Sequence, residues 1–235
     1  MVEITDLYKT FGKNKVLNGI NLTIKEGGIF AVLGPNGSGK TTIIKSILGM
    51  VIPDKGDIKV FDTSIKNNSE YRHKIDYLPQ IANFPSNLKV NELIKMIKDL
   101  RGNTDLDKDL IETFKLEPFL NKKLGTLSGG TKQKVNILLT FMFNSPIIIL
   151  DEPTTGLDPI SLIRLKELIE AEKAKGKTIL ITSHIMSFVE EVADEIVFIL
   201  EGKIYFKGSI AERRAKTEQN DFGHAIANIL TVNNV

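Results

Sequence analysis

The run Gly34-Pro35-Asn36-Gly37-Ser38-Gly39-Lys40-Thr41-Thr42 constrains this chain more than any other stretch. It follows an apolar segment, residues 29–33, that reads as a buried strand. It precedes residues 43–48, whose spacing suits a helix. A glycine-rich turn between strand and helix is the setting that turns a G-x-x-x-x-G-K-[ST] match into a phosphate-binding loop. Each residue type has a chemical reason. The glycines let the backbone curl until successive N–H groups point at phosphate oxygens, and the helix N-terminus adds partial positive charge there. Lys40 has the reach for β- and γ-phosphates, and the Thr41 hydroxyl suits the coordination shell of Mg²⁺. The loop predicts a nucleoside triphosphate site.

At 235 residues the chain is long enough to bury a sizeable core, as one α/β domain or as two small lobes. With 42% hydrophobic and 26% charged residues it has the balance of a soluble globular protein. A net charge of +2 gives no electrostatic reason to expect a nucleic-acid or anionic-membrane partner. The absence of cysteine excludes disulfides and thiolate metal sites. Met1-Val2-Glu3-Ile4 alternates like a strand rather than opening a signal peptide. The most hydrophobic stretch, residues 135–150, is short for a bilayer span and is broken by Asn144-Ser145-Pro146. Any membrane crossing therefore falls to a partner.

Residues 2–29 read as two short strands and a return, with turns at Gly12-Lys13-Asn14 and Glu26-Gly27-Gly28. From its position alone, Phe11 reads more readily as core or turn packing than as a ring that stacks on a purine. Residues 57–61 alternate like a strand. A short strand over 75–78 ends at Pro79 and leaves Gln80 on a loop. From residue 81 to 143 the pattern turns helical. Val90, Leu93, Ile94 and Ile97 keep a helical spacing, as do Leu110, Ile111, Phe114 and Leu116. This predicts a helical lobe inserted in an α/β core. Leu127-Ser128-Gly129-Gly130 then opens an amphipathic run over 131–143, with Ser128 suited to an N-cap. Two glycines at a helix start expose N–H groups, so the stretch is either a second anion site or a capped structural helix; local sequence favours the latter.

Residues 147–150 are continuously apolar and end in Asp151-Glu152, the pattern of a buried parallel strand whose carboxyl end reaches a ligand. Asp151 is placed to hold Mg²⁺ through its water shell; Glu152, one residue on, points elsewhere and is a candidate base for an attacking water. Pro159 fits the first turn of a helix whose buried face is Leu162, Leu165, Leu168 and Ile169. Residues 178–182 form another apolar strand with His184 at its end, where open α/β sheets bind ligands. Residues 195–200 and 203–206 flank Glu201-Gly202 as a hairpin. Beyond Gly208 the chain turns polar, with helical character through Ala215.

Taken in order, these segments resemble the ATP-binding subunit of ABC transporters over roughly residues 2–210. The resemblance matches the phosphate loop to Gly34–Thr42, the glutamine loop to Gln80, and the signature to Leu127-Ser128-Gly129-Gly130. It matches the second acidic motif to residues 147–152, the D-loop to Asp158, the switch histidine to His184 and the adenine-stacking aromatic to Phe11. The phosphate loop alone is shared by many NTPases; six motifs in this order are specific. The fold it implies is an α/β P-loop NTPase core with an N-terminal antiparallel β subdomain and an inserted helical subdomain. The core would cover about 1–80 and 146–210, the helical part 81–145 and a tail 211–235.

The same resemblance implies ATP and Mg²⁺ as ligands, with Thr41, Gln80 and Asp151 around the metal. It implies a head-to-tail homodimer in which Ser128, Gly129 and Gly130 of one copy meet the γ-phosphate held by Lys40 of the other. Glu152 would polarise the attacking water and His184 would hold the γ-phosphate. The helical lobe would dock on an integral membrane permease subunit at the cytoplasmic face of the inner membrane, with no nucleic acid involved. Thr131 departs from the glutamine many members carry after the signature glycines, which implies altered tuning. The compact length is similar to export subunits with separate membrane partners. Residues 123–139 and 183–208 resemble most the branch serving copper-site maturation of nitrous oxide reductase. A GTPase is disfavoured because Asn121-Lys122-Lys123-Leu124 lacks the guanine-reading aspartate. A chromosome-type ATPase would need a coiled-coil insertion, and a translation-associated one two motif sets. A regulatory ABC ATPase acting on a soluble partner is the alternative.

Overall fold

The structure, a computed structural model, describes residues 2–102 and 106–209. Strands β1 (Val2–Phe11) and β2 (Asn14–Ile24) form an antiparallel hairpin closed by the Phe11–Asn14 pair. β4 (Lys55–Val60) pairs along the other side of β1, and β5 (Thr63–Ser64) completes a four-stranded sheet ordered β2-β1-β4-β5. The two opening strands are ten and eleven residues long rather than short. The register of β1 shifts between Ile4 and Leu7, where Asp6 takes φ 49°. Ile4 and Leu7 are therefore both buried, and the period-two signal that marks a long strand is interrupted.

The second sheet has six strands in the order β10-β9-β3-β8-β7-β6. β3 (Gly28–Leu33), β6 (Ile75–Leu78), β7 (Ile147–Asp151), β8 (Thr178–Ser183) and β9 (Glu195–Leu200) run parallel, while β10 (Lys203–Ser209) returns antiparallel to β9. Both faces are covered, which is why these strands read as unbroken apolar runs. On one face Ile29, Ala31, Ile148, Leu150, Ile179 and Ile181 pack against α4 (Gly129–Phe141), α5 (Pro159–Ala174) and α6 (Met186–Val192). On the other, Phe30, Val32, Ile147, Ile149 and Leu180 meet Ile43, Ile44 and Ile47 of α1 (Lys40–Ile47) and the inner face of the antiparallel sheet. The expected fold, an α/β P-loop NTPase core with an antiparallel β part and a helical part, is the one observed.

Between β6 and β7 the described residues carry α2 (Val90–Arg101), α3 (Leu106–Thr113) and α4, with two single 3₁₀ turns between α3 and α4. Val90, Leu93, Ile94, Leu110, Phe114 and Leu116 are buried there, as their spacing predicts. Residues beyond Ser209, including the expected helical stretch through Ala215, lie outside the described residues.

One buried charge ties this helical part to the edge of the sheet. Asp76, on the edge strand β6, is fully buried and accepts from the Arg101 guanidinium at the end of α2 and from the Ser145 N–H (3.3 Å). Arg101 also lies over the Phe143 ring, 4.3 Å from its centroid. Removing the cation leaves a carboxylate in apolar surroundings. Arg101 is a third exposed, so the cost falls below that of a fully buried pair: Arg101→Met should destabilise by about 2–3 kcal/mol. In a domain of this size that is a melting point lower by roughly 5–10 °C. Asp76→Asn in the same background should recover most of it in thermal melts; no recovery would show that Arg101 acts through Phe143 instead.

Candidate active site

At the carboxyl ends of the parallel strands the loop after β3 wraps the start of α1. Gly39 stands at the N-cap with φ 107°, and a Cβ there would meet Leu17 Cδ2 at 2.8 Å and Val16 O at 2.9 Å. Glycine is therefore required both for the conformation and for the close approach of β2. No side chain caps α1, so its first N–H groups remain available to an anion. A cleft of about 420 Å³ opens over this turn, lined by Asn36, Gly37, Gly39, Lys40, Thr41 and Thr42 from the loop. Phe11, Gln80 and Glu152 line it from other elements. Gly34, Pro35 and Ser38 lie in the turn beneath. Phe11 is half exposed at the cleft rim, with Lys9 Nζ 5.2 Å from its ring centroid, so the packing role suggested by position alone does not hold.

Lys40 is folded onto its own loop, where Nζ donates to Gly34 O (2.8 Å) and Pro35 O (3.2 Å). Burial pulls its ammonium pKa down, against the charges of Glu152 and Asp151. Glu152 Oε1 lies 3.8 Å from Lys40 Nζ, and Glu152 Oε2 lies 2.7 Å from His184 Nδ1. Strict alternation would send Glu152 to the opposite face from Asp151, as the sequence suggested. Instead Glu152 adopts φ 51°, which breaks the alternation and turns its carboxylate into the cleft. A non-glycine residue held there stores of order 1–3 kcal/mol, a cost that recurs at functional sites. His184, more than half exposed, reaches Glu152 from the end of β8.

Asp151 lies behind Thr41, whose Oγ1 is 3.3 Å from Asp151 Oδ1. The Thr182 hydroxyl donates to the same oxygen. Asp151 Oδ2 and Ser38 Oγ are buried without a hydrogen-bond partner among the described residues. Burial raises the Asp151 pKa and, with the Asp151 charge nearby, pushes the Tyr77 hydroxyl up to about 12. An orphaned carboxylate oxygen beside a threonine hydroxyl is a hard-oxygen donor set, and it fits Mg²⁺.

Four expected residues lie elsewhere. Ser128, Gly129, Gly130 and Asp158 do not line the cleft. Ser128 caps α4 by accepting the Thr131 N–H (3.3 Å), and its hydroxyl is 2.9 Å from Thr131 Oγ1. Gly130 abuts Gly156, where a Cβ would stand 2.6 Å from the Gly156 carbonyl. Asp158 caps α5 through Ser161 N–H (2.9 Å) and pairs with Lys134 Nζ at 2.7 Å, which together hold its carboxyl well below the usual range.

Sequence reasoning missed several residues. Asn14 and Val16 line the cleft because the β1–β2 hairpin brings them beside Phe11 and the loop. Their positions straight after the hairpin turn were the available signal. α4 carries a buried polar stripe within an otherwise apolar face. Gln133 Nε2 donates to Pro153 O (2.9 Å) and Asn136 Nδ2 to Pro79 O (3.0 Å), while the Thr140 hydroxyl donates to Asn136 O of its own helix (2.9 Å) and lies 3.4 Å from Tyr77 O. The helix that starts at Ser128 is thereby bonded to the loops carrying Gln80 and Glu152.

Comparisons with known proteins agree with this geometry. The family model described as ABC transporter matches residues 17–155. The chain is 37% identical to the lantibiotic transport ATP-binding protein SrtF of Streptococcus pyogenes over 213 residues, covering 87% of this chain and 89% of that one. It is 34% identical to the bacitracin transport ATP-binding protein BcrA of Bacillus licheniformis, covering 87% and 68%. A solved ATP-binding subunit of an ABC transporter superposes with TM-score 0.84 at 30% identity over 92% of each chain. The dimeric post-hydrolysis cassette MJ0796 bound to ADP and phosphate superposes with TM-score 0.81 at 25% identity, covering 89% and 99%. A phosphate loop at the sheet's carboxyl ends, paired acids and a histidine beside it, and this likeness over most of the chain lead to one conclusion: the chain belongs to the ABC transporter ATP-binding subunits and is an ATPase that takes ATP and Mg²⁺.

Proposed function

We propose that this chain works as a head-to-tail homodimer around two ATP molecules and drives export through a separately encoded membrane subunit at the cytoplasmic face of the inner membrane. The observation that carries the reading is the contact of Glu152 with Lys40 and with His184, at a cleft lined by Lys40 and Glu152 that Ser128, Gly129 and Gly130 do not line. In this reading Phe11 stacks on adenine and the loop amides, including those of residues 37–42, bind phosphate oxygens. Lys40 leaves its loop carbonyls for the γ-phosphate oxygens. Thr41, Asp151 and Gln80 would hold Mg²⁺, which would supply charge neutralisation for the phosphates. Glu152 orients the attacking water and takes its proton, and His184 steadies Glu152 and donates to the γ-phosphate as charge develops. Ser128, Gly129 and Gly130 of the second copy close over the same phosphate, with Asp158 at the junction. The dimer of MJ0796 supports the pairing.

Of the relatives' names, lantibiotic transport, bacitracin transport and Nod factor export, the last supports the export direction. The branch serving nitrous oxide reductase maturation rests only on residues 123–139 and 183–208. None of these relatives is named for that function, so cargo assignment passes to the membrane subunit. No helix among the described residues is long and apolar enough to cross a membrane.

Glu152→Gln should retain ATP binding while hydrolysis falls by at least about 100-fold, the loss expected for a general base. Light scattering should then find a dimer in saturating Mg-ATP; a strict monomer would falsify the homodimer. Lys40→Ala and Ser128→Arg should each be inactive alone. An equal mixture should regain about a quarter of wild-type activity, because half the dimers are mixed and each has one intact site. If the mixture stays inactive while mixed dimers form, Ser128 does not act across the interface. Tagged Glu152→Gln drawn from solubilised native membranes in Mg-ATP should bring down a stoichiometric multi-spanning subunit; a soluble partner in its place would favour the regulatory ATPase.

A further inference from the structure

We infer that Thr182 is a positioning residue for hydrolysis: one buried hydroxyl, shared between Asp151 and the backbone of Glu152, sets the orientation of both acids. The inference rests on the assignment of Asp151 and Thr41 to the metal proposed above.

The sheet register makes the contact unavoidable. In the parallel pairing of β7 and β8, Asp151 lies directly opposite Thr182. Side chains alternate along a strand, so Asp151 shares a face with Ile147 and Ile149, and Thr182 shares one with Leu180. That is the face packed on α1, where Thr41 stands. Thr182 is fully buried.

The direction of the hydrogen bonds comes from what each group can do. The Glu152 N–H, 3.1 Å from Thr182 Oγ1, can only donate, so the hydroxyl oxygen accepts there. The hydroxyl hydrogen is then left for Asp151 Oδ1, which an ionised carboxylate accepts. Oδ1 is thus held from two sides, by Thr41 and Thr182, and the carboxylate plane is set so that Oδ2, without a partner, is the oxygen offered to the metal. On its other side the same hydroxyl, together with the Thr182 carbonyl (3.1 Å), holds the Glu152 N–H in the residue that takes the left-handed φ. A β-branched side chain has few rotamers, so the hydroxyl keeps this aim without Mg-nucleotide.

The test reads metal affinity directly. A fluorescent ATP analogue is bound in EDTA, then titrated with Mg²⁺ and, separately, with Mn²⁺ followed by electron paramagnetic resonance. Thr182→Val preserves shape and removes the hydroxyl; it should raise the half-saturating metal concentration about tenfold, as loss of an outer-shell partner does. Metal-free nucleotide binding should stay unchanged. Thr182→Ser should return to within about threefold of wild type, since the hydroxyl is restored. Thr182→Ala should repeat the valine displacement, which guards against a folding defect peculiar to one variant. Asp151→Asn separates the two levels of the reading. If Asp151→Asn shifts the metal curves and Thr182→Val does not, the Thr182 inference is overturned and the metal site stands. If Asp151→Asn shifts nothing, the metal assignment fails and the inference with it. Equal losses in the serine and valine variants, or weakened metal-free nucleotide binding, would also overturn it by showing a packing role.

Discussion

The in-register parallel pairing of β3, β8 and β7 is the constraint on which the site depends. Gly28 to Leu33 runs beside Thr178 to Ser183, and Ile147 to Asp151 beside Thr178 to Thr182, so the three strands end at one level. The groups at the three carboxyl ends therefore arrive at one place: the phosphate loop after Leu33, the acidic pair at Asp151 and Glu152, and His184 after Ser183. Burial on both faces makes this register costly to slip, because a shift by one residue would exchange the faces of every apolar side chain. The charged groups at the strand ends are held in position by the hydrophobic residues behind them.

Within that frame the acids differ because their backbones differ. Asp151 is the last residue of β7 and keeps the alternation, so it faces α1 and is desolvated. Glu152 leaves it at φ 51° and meets Lys40 and His184 instead. Two adjacent carboxylates thereby acquire different neighbours without any difference in side-chain chemistry beyond one methylene. The lysine set between these acids and its own loop carbonyls is short of solvent, a position from which a phosphate anion is a better partner than the carbonyls.

α4 is the physical link between this site and the rest of the helical part. It begins at Ser128 and presents the side-chain amides of Gln133 and Asn136 to carbonyls just past the ends of β6 and β7. Buried amides without partners are costly, so these bonds fix the helix in rotation about its axis as well as in place. Asp76, on the same edge strand β6, holds α2 through Arg101.

Much of the architecture was legible because the signals were local. The phosphate loop between a strand and a helix, the apolar run ending in Asp151, the Ser128 and Pro159 helix starts and the Glu201-Gly202 hairpin each depend on a few adjacent residues whose φ and ψ preferences or periodicity carry the information. Other features were not legible. The length of β1 was hidden by the register shift at Asp6, the direction of Glu152 by its positive φ, the exposure of Phe11 by the hairpin that carries it, and the polar stripe of α4 by its partners' distance in sequence. The pairing of Thr182 with Asp151 joins residues 31 apart, and only the strand order β3-β8-β7 makes them neighbours. The sequence by itself determined which groups exist and at which ends of which elements they sit, since backbone propensity and side-chain period act over short range. Only the tertiary structure decided which of them share a face and a hydrogen bond, because that depends on strand order and register, which long-range burial selects.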